Sequence, residues 1–269
     1  MLNQPQWTDR QTRHRQLDAH VEATQRATFG FREMPAAEKA GQVMDHFDKV
    51  APRYDFMNNL LSFGIQTAWK RQAIRLLRLE PGQLVLDVCG GTGDLALLAA
   101  RHTAPDGRVL VYDLNRRMLA AGMPKAARAG LSSRIACVQG DAERIALPDT
   151  VCDAAMVGFG IRNLTHLEKG FREMYRVLKP GGRFLCLEFS KPVNPVFRSL
   201  YDFYSFHIMP LAGQLMVGNR RGYVCLPETI RLFPLPDELS AILSDIGFSD
   251  VTFRRMTNGI AVAHVATKR

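Results

Sequence analysis

The sequence predicts an α/β fold built on a doubly wound, mostly parallel seven-stranded sheet, with an aromatic lid inserted late in the chain. Two observations carry this. Short apolar runs of strand length alternate with segments of helical periodicity, the pattern of a sheet covered by helices on both faces. A glycine-rich turn also stands directly between the first such run and its following helix.

The first 28 residues are rich in Arg, Gln, His and Thr, which suggests a mobile arm outside a domain covering 29–269. Within 29–80, Val43, Phe47 and Val50 fall at helical spacing, 54–59 reads as a turn, and 66–79 as a second helix. Pro81-Gly82 ends that helix. The expected strands are then 84–88, 108–113, 135–141, 152–158 and 183–188, with helices over 94–101, 118–129 and 167–178. An aromatic and methionine-rich insertion occupies 192–225; a helix over 236–246 and closing strands over 251–255 and 260–266 follow.

Composition narrows the class. The chain has 269 residues with 46% hydrophobic content, enough for a large core. Five dispersed cysteines without a C-x-x-C pair argue for a reducing compartment and against a zinc or disulfide framework. No apolar window reaches a membrane span, and the N-terminus lacks a signal-type apolar core, so a cytoplasmic location is expected. Lys and Arg number 35 against 26 Asp and Glu, a net charge of +9, of which residues 51–140 hold +6 (12 basic, 6 acidic). Such a surplus attracts an anionic partner: nucleic acid, lipid headgroups or an anionic cofactor.

The loop Asp87-Val88-Cys89-Gly90-Gly91-Thr92-Gly93-Asp94 fits neither the dinucleotide G-x-G-x-x-G pattern nor a Walker loop. Gly90, Gly91 and Gly93 let the backbone turn tightly and approach a ligand. Asp113 ends the next strand, where a carboxylate accepts ribose hydroxyls, and Asp141 ends the third, near where an adenine edge would lie. Acids at both sides of the loop suit a ligand with a cationic amino-acid tail, the shape of S-adenosylmethionine. Taken singly, Asp87 and Asp94 also read as caps of loop and helix.

Longer segments are more specific: Tyr54-Asp55-x-Met57-Asn58, Leu61-Ser62-Phe63-Gly64-Ile65, Trp69-Lys70-Arg71, Gly158-Phe159-Gly160-Ile161-Arg162-Asn163, Leu187-Glu188-Phe189-Ser190-Lys191-Pro192 and Tyr201-Asp202-x-Tyr204-Ser205-Phe206-His207. With these the chain resembles the UbiE/MenG/COQ5 family of quinone-biosynthesis C-methyltransferases, a branch of the Rossmann-like class I S-adenosylmethionine-dependent fold. The resemblance runs from about Phe29 to the C-terminus. It implies methyl transfer to a ring carbon of a demethylated prenyl quinol, of naphthoquinol or benzoquinol type, with S-adenosylhomocysteine as product. It also implies cofactor contacts at Asp87, Gly90, Gly91, Thr92, Gly93, Asp113, Leu114, Asp141, Ala142 and Gly158; most relatives carry serine at the last. Tyr54, Met57, Asn58, Tyr201, Tyr204 and Tyr223 are expected on the acceptor. The chain departs from the family at Gln66, usually histidine, and at Gly222-Tyr223-Val224-Cys225-Leu226, both expected to face the acceptor.

Three residues are expected to act in the reaction. Arg162 is placed to stabilise a developing phenolate, Asn163 to orient a hydroxyl or water, and His207 to serve as general base, since an imidazole titrates near neutrality. Bland readings stand beside them: Arg162 paired with a neighbouring acid, His207 as a core histidine, the tyrosines as packing. Rival classes fare worse. A nucleic-acid methyltransferase would carry Asn/Asp-Pro-Pro-Tyr/Phe after the fourth strand; a non-catalytic binding module would be expected to lack the loop or Asp113; a nicotinamide oxidoreductase is disfavoured by the glycine spacing. Another hydrophobic or phenolic acceptor remains an alternative. No nucleic-acid partner is expected. The arginine-rich helix over 69–78 is expected to rest on anionic headgroups at the inner face of the membrane while a lipid-tailed quinol enters. A homodimer or a quinone-biosynthesis complex is compatible with the sequence.

Overall fold

The computed structural model describes residues 7–269 apart from Asn219. In chain order the elements are α1 (Arg10–His14), α2 (Asp18–Thr24), β1 (Arg26–Phe29), β2 (Arg32–Pro35), α3 (Ala36–Val50), α4 (Tyr54–Leu61), α5 (Ile65–Leu77), β3 (Leu84–Val88), α6 (Asp94–His102), β4 (Arg108–Asp113), α7 (Arg116–Arg128), β5 (Ile135–Gln139), β6 (Cys152–Gly158), α8 (Leu167–Val177), β7 (Leu178–Phe189), α9 (Pro195–Phe203), α10 (Met209–Val217), α11 (Arg220–Leu232), α12 (Pro236–Ile246), β8 (Phe248–Met256) and β9 (Ala261–Lys268).

Seven strands form one sheet in the order β5-β4-β3-β6-β7-β9-β8. The first five are parallel, while β9 runs antiparallel to β7 and β8 antiparallel to β9. The doubly wound, mostly parallel sheet expected from the sequence is therefore present. Strand alternation splits the core in two. Val85, Val109, Val111, Met156 and Leu185 face α5 and α6, while Leu86, Val88, Val157 and Phe184 face α8 and α12. The chain leaves β3 toward one sheet edge and reaches β6 on its other side. Their adjacency is a topological switch point, and in open α/β sheets ligands bind beyond the strand C-termini there. The loops after β3, β4, β5 and β6 converge on it.

Three expectations change. Residues 54–59 are not a turn but the start of α4: Tyr54, Met57 and Leu61 repeat at helical spacing, which outweighs the poor propensity of Asn58-Asn59. The lid expected over 192–225 is helical and runs on through α11 to Leu232. A five-residue π turn, Tyr204–Ile208, joins α9 to α10.

The third concerns the N-terminus. Residues 1–6 of the expected mobile arm lie outside the described residues, but those that follow are attached to the domain. Asp18, 4% exposed, accepts the Glu168 and Lys169 N–H groups at the start of α8 (3.1 and 2.8 Å) and pairs with Arg172, while Glu168 accepts the Asp18 N–H at 2.9 Å. Arg13 holds Glu238 of α12 at 2.6 and 2.8 Å. The segment is anchored by the buried Arg13 and Asp18, while Arg10, Arg15 and Arg26 remain exposed.

Asp18 thus caps a helix far away in sequence. Asp18→Ala should lower the unfolding free energy by about 1–2 kcal/mol, the upper range for a lost cap, seen as a lower urea midpoint. An unchanged midpoint would show that the N-terminal segment is not part of the cooperative unit.

Candidate active site

Two cavities open at the C-terminal edge of the sheet. The smaller, about 170 Å³, lies over the loops of β3, β4, β5 and β6. The larger, about 350 Å³, lies between α3, α4, α5 and the lid and is walled mainly by aromatic and aliphatic side chains. Phe47, Tyr54, Asn58, Phe159 and Asn163 line both, so the cavities share one wall.

The smaller cavity is built by the glycine loop. Gly91 adopts φ +54° and Gly93 φ +75°, left-handed conformations that turn β3 into α6. Gly90 lies against the sheet, where a β-carbon would come within 2.7 Å of Val111 Cγ1. Asp87 shares the strand face of Val85 and so points at the start of α6, where its Oδ2 accepts the Ala96 N–H at 3.1 Å. Its Oδ1 is buried and has no hydrogen-bond partner. Burial pushes the Asp87 carboxyl up to about 8, outweighing the Ala96 N–H, and the nearby Asp113 and Asp94 push the same way. An orphaned carboxylate oxygen in the cavity wall fits the ammonium of a methionine-type tail.

Asp113 accepts the Gly91 N–H at 2.9 Å and the Asn115 N–H at 2.7 Å. These bonds fix the carboxylate in the cavity wall, although burial still raises its pKa. Leu114, Asp141, Ala142 and Gly158 line the same cavity. A carboxylate pair at the ends of β4 and β5 with an apolar floor fits a ribose and an adenine. Gly158 contributes backbone alone: a β-carbon there would meet Leu95 Cδ1 at 2.5 Å, so Leu95 fills the space a side chain would need.

A charged network ties this loop to α4, α5 and α7. Lys70 of α5 donates to Asp94 Oδ2 (2.7 Å) and to Gln66 Oε1 (2.8 Å). Lys125 of α7 donates to Asp55 (2.7 Å), Thr92 (3.2 Å) and Asp94, and Thr92 donates to Asp55 at 2.7 Å. Burial works to raise Asp94, but the two lysines hold its carboxyl below the ordinary value. Asp94 is therefore committed to lysines, leaving Asp87 as the loop acid with a free oxygen.

In the larger cavity Tyr201, Tyr204 and Tyr223 line the wall with Tyr54 and Asn58. Tyr204 donates to the Leu61 carbonyl at 2.8 Å, closing the lid on the end of α4. Burial pushes Tyr201 and Tyr223 up to about 12, so both keep their phenolic protons. Gln66, Gly222, Tyr223, Cys225 and Leu226 also line this cavity, so both expected departures from the family pattern sit in its wall. Arg162 lines it from the end of β6 and donates to both oxygens of Glu188 (3.0 and 2.9 Å) and to the Phe159 carbonyl, with its guanidinium 5.6 Å from the Phe189 ring centre. Its Nε–H is buried without a partner. Burial raises the Glu188 carboxyl and outweighs the neighbouring Arg162 cation.

Three expected site residues fall elsewhere. His207 is exposed on the π turn, stacked on Phe203 and bonded to its carbonyl, and lines neither cavity; the π turn sets it on the outer face of the lid. Met57 is buried but lines neither cavity, because the helical geometry of α4 turns it into the packing while Tyr54 and Asn58 face the site. Gly93 lines neither and caps α6. Arg162 does have the acid partner of its bland reading, yet remains in the wall with one donor to spare.

Other wall residues were not singled out from the sequence. Lys70, Asn115 and Met118 line the smaller cavity. His46 lines the larger one, edge-on to Phe29 and Phe47, and burial lowers it to about 4, so its imidazole is neutral. A signal existed for His46: it shares the helical face of Val43, Phe47 and Val50. Lys70 stood in the Trp69-Lys70-Arg71 segment, but its pairing with Asp94, 24 residues on, gave no local signal, and neither did that of Lys125 with Asp55, 70 residues away.

Comparison with known proteins agrees with this geometry. Residues 34–268 match the model of the ubiE/COQ5 methyltransferase family. The chain is 45% identical over 240 residues to the ubiquinone/menaquinone biosynthesis C-methyltransferase UbiE of Ectopseudomonas mendocina (strain ymp), covering 89% of this chain and 94% of that protein. The protein of that name from Pseudomonas putida (strain W619) is 43% identical over 249 residues, covering 93% and 96%. Among solved structures, the [4+2]-cyclase SpnF superposes with a TM-score of 0.63 at 19% identity (84% of this chain, 96% of that one). A SAM-dependent methyltransferase from Aquifex aeolicus gives 0.55 at 20% identity (74% and 89%). At these identities the two structures show the fold.

Asp87 makes a prediction with a defined sign. Its folded pKa, about 8, lies above the ordinary 3.8, so the cost of burying its charge is absent below pH 4, grows as pH rises toward 8, and levels off above. Asp87→Asn removes that cost. In ligand-free protein its unfolding free energy from urea titration should gain on the parent's between pH 4 and 8, by a few kcal/mol in order of magnitude. Titration calorimetry should show weaker S-adenosylhomocysteine binding by at least about tenfold. A free-energy difference that does not change with pH would contradict this placement of the charge.

Proposed function

The chain belongs to the ubiE/COQ5 methyltransferase family, and from that premise we propose how its two cavities divide the work of a C-methyltransferase of ubiquinone/menaquinone biosynthesis. The smaller cavity takes S-adenosylmethionine and the larger the ring of a demethylated prenyl quinol. The observation that carries this reading is the shared wall, Phe47, Tyr54, Asn58, Phe159 and Asn163, across which a polar, acid-lined site meets an apolar one.

When bound, S-adenosylmethionine supplies an electrophilic methyl group on a sulfonium. The chain's own residues supply position and electrostatics. Asp87 Oδ1 takes the ammonium of the amino-acid tail, and Lys70, in the same wall, its carboxylate. Asp113 accepts the ribose hydroxyls. Aromatic walls exclude water from the acceptor and hold the ring flat against Phe159, so that alignment contributes much of the rate. A ring carbon becomes nucleophilic as the hydroxyl beside it loses its proton. The spare Nε–H of Arg162 stabilises the oxygen charge that develops, in an environment of low dielectric. Asn163 hydrogen-bonds a ring hydroxyl from the shared wall. His46, neutral in the apolar wall, accepts a hydrogen bond from a ring hydroxyl, a role the exposed His207 cannot fill.

The test is methyl transfer from labelled S-adenosylmethionine to reduced, short-tailed demethylated naphthoquinol and benzoquinol, with the label traced to a ring carbon. Transfer to neither, with S-adenosylmethionine binding intact, contradicts the acceptor reading. Arg162→Gln should lower kcat by about 10²-fold with little change in KM for S-adenosylmethionine. It should also lose stability, because Glu188 is left buried and unpaired. The Arg162→Gln/Glu188→Gln double variant should regain much of that stability without regaining turnover. Recovery of both would assign Arg162 a structural role alone.

A further inference from the structure

The lid carries an apolar face that nothing among the described residues covers. No residue of α9 is buried. Val196, Leu200 and Phe203, then Ile208, Leu211 and Leu215, are all exposed, Val196 at 72% and Leu215 at 74%. They fall at steps of four, three, five, three and four. In an α-helix a five-residue step turns the side chain about 140° beyond a full turn, off the stripe. That step, Phe203 to Ile208, coincides with the π turn Tyr204–Ile208, which absorbs the extra residue. The backbone stays helical throughout: φ/ψ is −58°/−50° at Phe203, −82°/−48° at Ile208 and −60°/−44° at Met209. The π turn thus keeps one outward apolar stripe in register along α9 and α10, while Tyr201, Tyr204 and Met209 face the larger cavity.

A second exposed group continues the surface. Phe56, Leu60 and Phe63 project from α4 and its end, Phe63 at 76%. The two groups meet at the cavity mouth: the Phe63 and Tyr204 rings are 5.9 Å apart, Tyr204 donates to Leu61, and Arg53 donates to the Met216 carbonyl. Phe63 and Leu200 are at once exposed and part of the cavity wall, so the apolar surface is continuous with the cavity.

We propose that this face inserts into an anionic lipid bilayer, so that the larger cavity opens directly into the hydrocarbon and takes its acceptor from there. The proposal rests on the lipid-tailed acceptor above and names the medium its tail occupies. Charge selects the partner. Over 53–78 and 191–226 the acids are Asp55 and Asp202, held by Lys125 and Arg231. Arg53, Arg71, Arg220 and Arg221 are exposed in those segments, with no acid partner among the described residues. Exposed apolar side chains with a cationic rim are the composition of an interfacial, non-spanning membrane contact. No helix among the described residues is long and apolar enough to cross the bilayer. In the stretch 69–78, Trp69, Lys70, Ala73, Ile74 and Leu77 are buried, so the lid and α4 supply the apolar contact and this stretch adds the exposed Arg71 to its cationic rim.

Leu211→Glu/Leu215→Glu tests this, because neither residue lines a cavity. Flotation with phosphatidylglycerol/phosphatidylcholine vesicles should show binding by the parent protein, reduced at least about tenfold in the variant. Methylation of a long-tailed acceptor in those vesicles should fall in parallel, and turnover of a one-isoprene acceptor in solution should be unchanged. Equal vesicle binding by parent and variant overturns the proposal. So does an equal loss of turnover on both acceptors, or a concentration-dependent dimer that the variant breaks without vesicle affinity in the parent, which would make this face an interface between copies. If the parent fails to methylate the one-isoprene acceptor, the acceptor reading fails instead, and flotation still decides the membrane face.

Discussion

One carboxylate sets the terms for the site. Asp87 ends the central strand β3 inside the protein, with one oxygen on the Ala96 N–H and the other on nothing. A buried charge with an empty hydrogen-bonding position is costly, and its raised pKa records that cost. The position becomes favourable when a cation arrives. The features around it follow from keeping that position open: Gly90 and Gly91 bring the backbone past without side chains, Gly93 starts α6 so that its N–H groups meet the carboxylate, and Asp94 is neutralised by two lysines.

The same lysines connect donor and acceptor sides. Lys125 holds α4 through Asp55 and the glycine loop through Thr92 and Asp94, and Lys70 links Asp94 to Gln66 in the acceptor wall. Moving the loop therefore moves the helix that carries Tyr54 and Asn58. On the far side, the Arg162–Glu188 pair fixes the end of β6, which delivers Phe159 and Asn163 to the shared wall. Ion pairs of this kind contribute little net stability once desolvation is counted. Their value here is positional: they tie α4, α5 and α7 to the glycine loop and Arg162 to Glu188.

Much of the fold was legible because the sheet writes itself locally: each parallel strand is a short apolar run, and Gly90-Gly91-Thr92-Gly93 marks the switch-point strand. The smaller cavity follows the same rule, since Asp87, Asp113, Asp141 and Gly158 stand at or just beyond strand ends and line it. What failed depends on direction and distance. Reading Met57 as an acceptor contact required knowing that 54–61 is a helix and which way it faces. His207 looked central among aromatics until the π turn set it outward. The basic N-terminal segment looked solvated because Glu238 and Glu168, which neutralise and cap it, lie over 140 residues away. The lysine network was invisible for that reason too.

The central claim is that the methyl group passes directly from a donor in the smaller cavity to an acceptor in the larger, where the two meet at their shared lining. It is tested most directly by an experimental structure of the protein with S-adenosylhomocysteine and a demethylated quinol bound together. The account predicts the sulfur in the smaller cavity and the acceptor carbon in the larger, in direct line where the cavities meet beside Phe159 and Asn163 with no side chain between them, and Asp87 Oδ1 on the ligand's ammonium. An acceptor ring bound outside the larger cavity, or an ammonium held by a group other than Asp87, would contradict it.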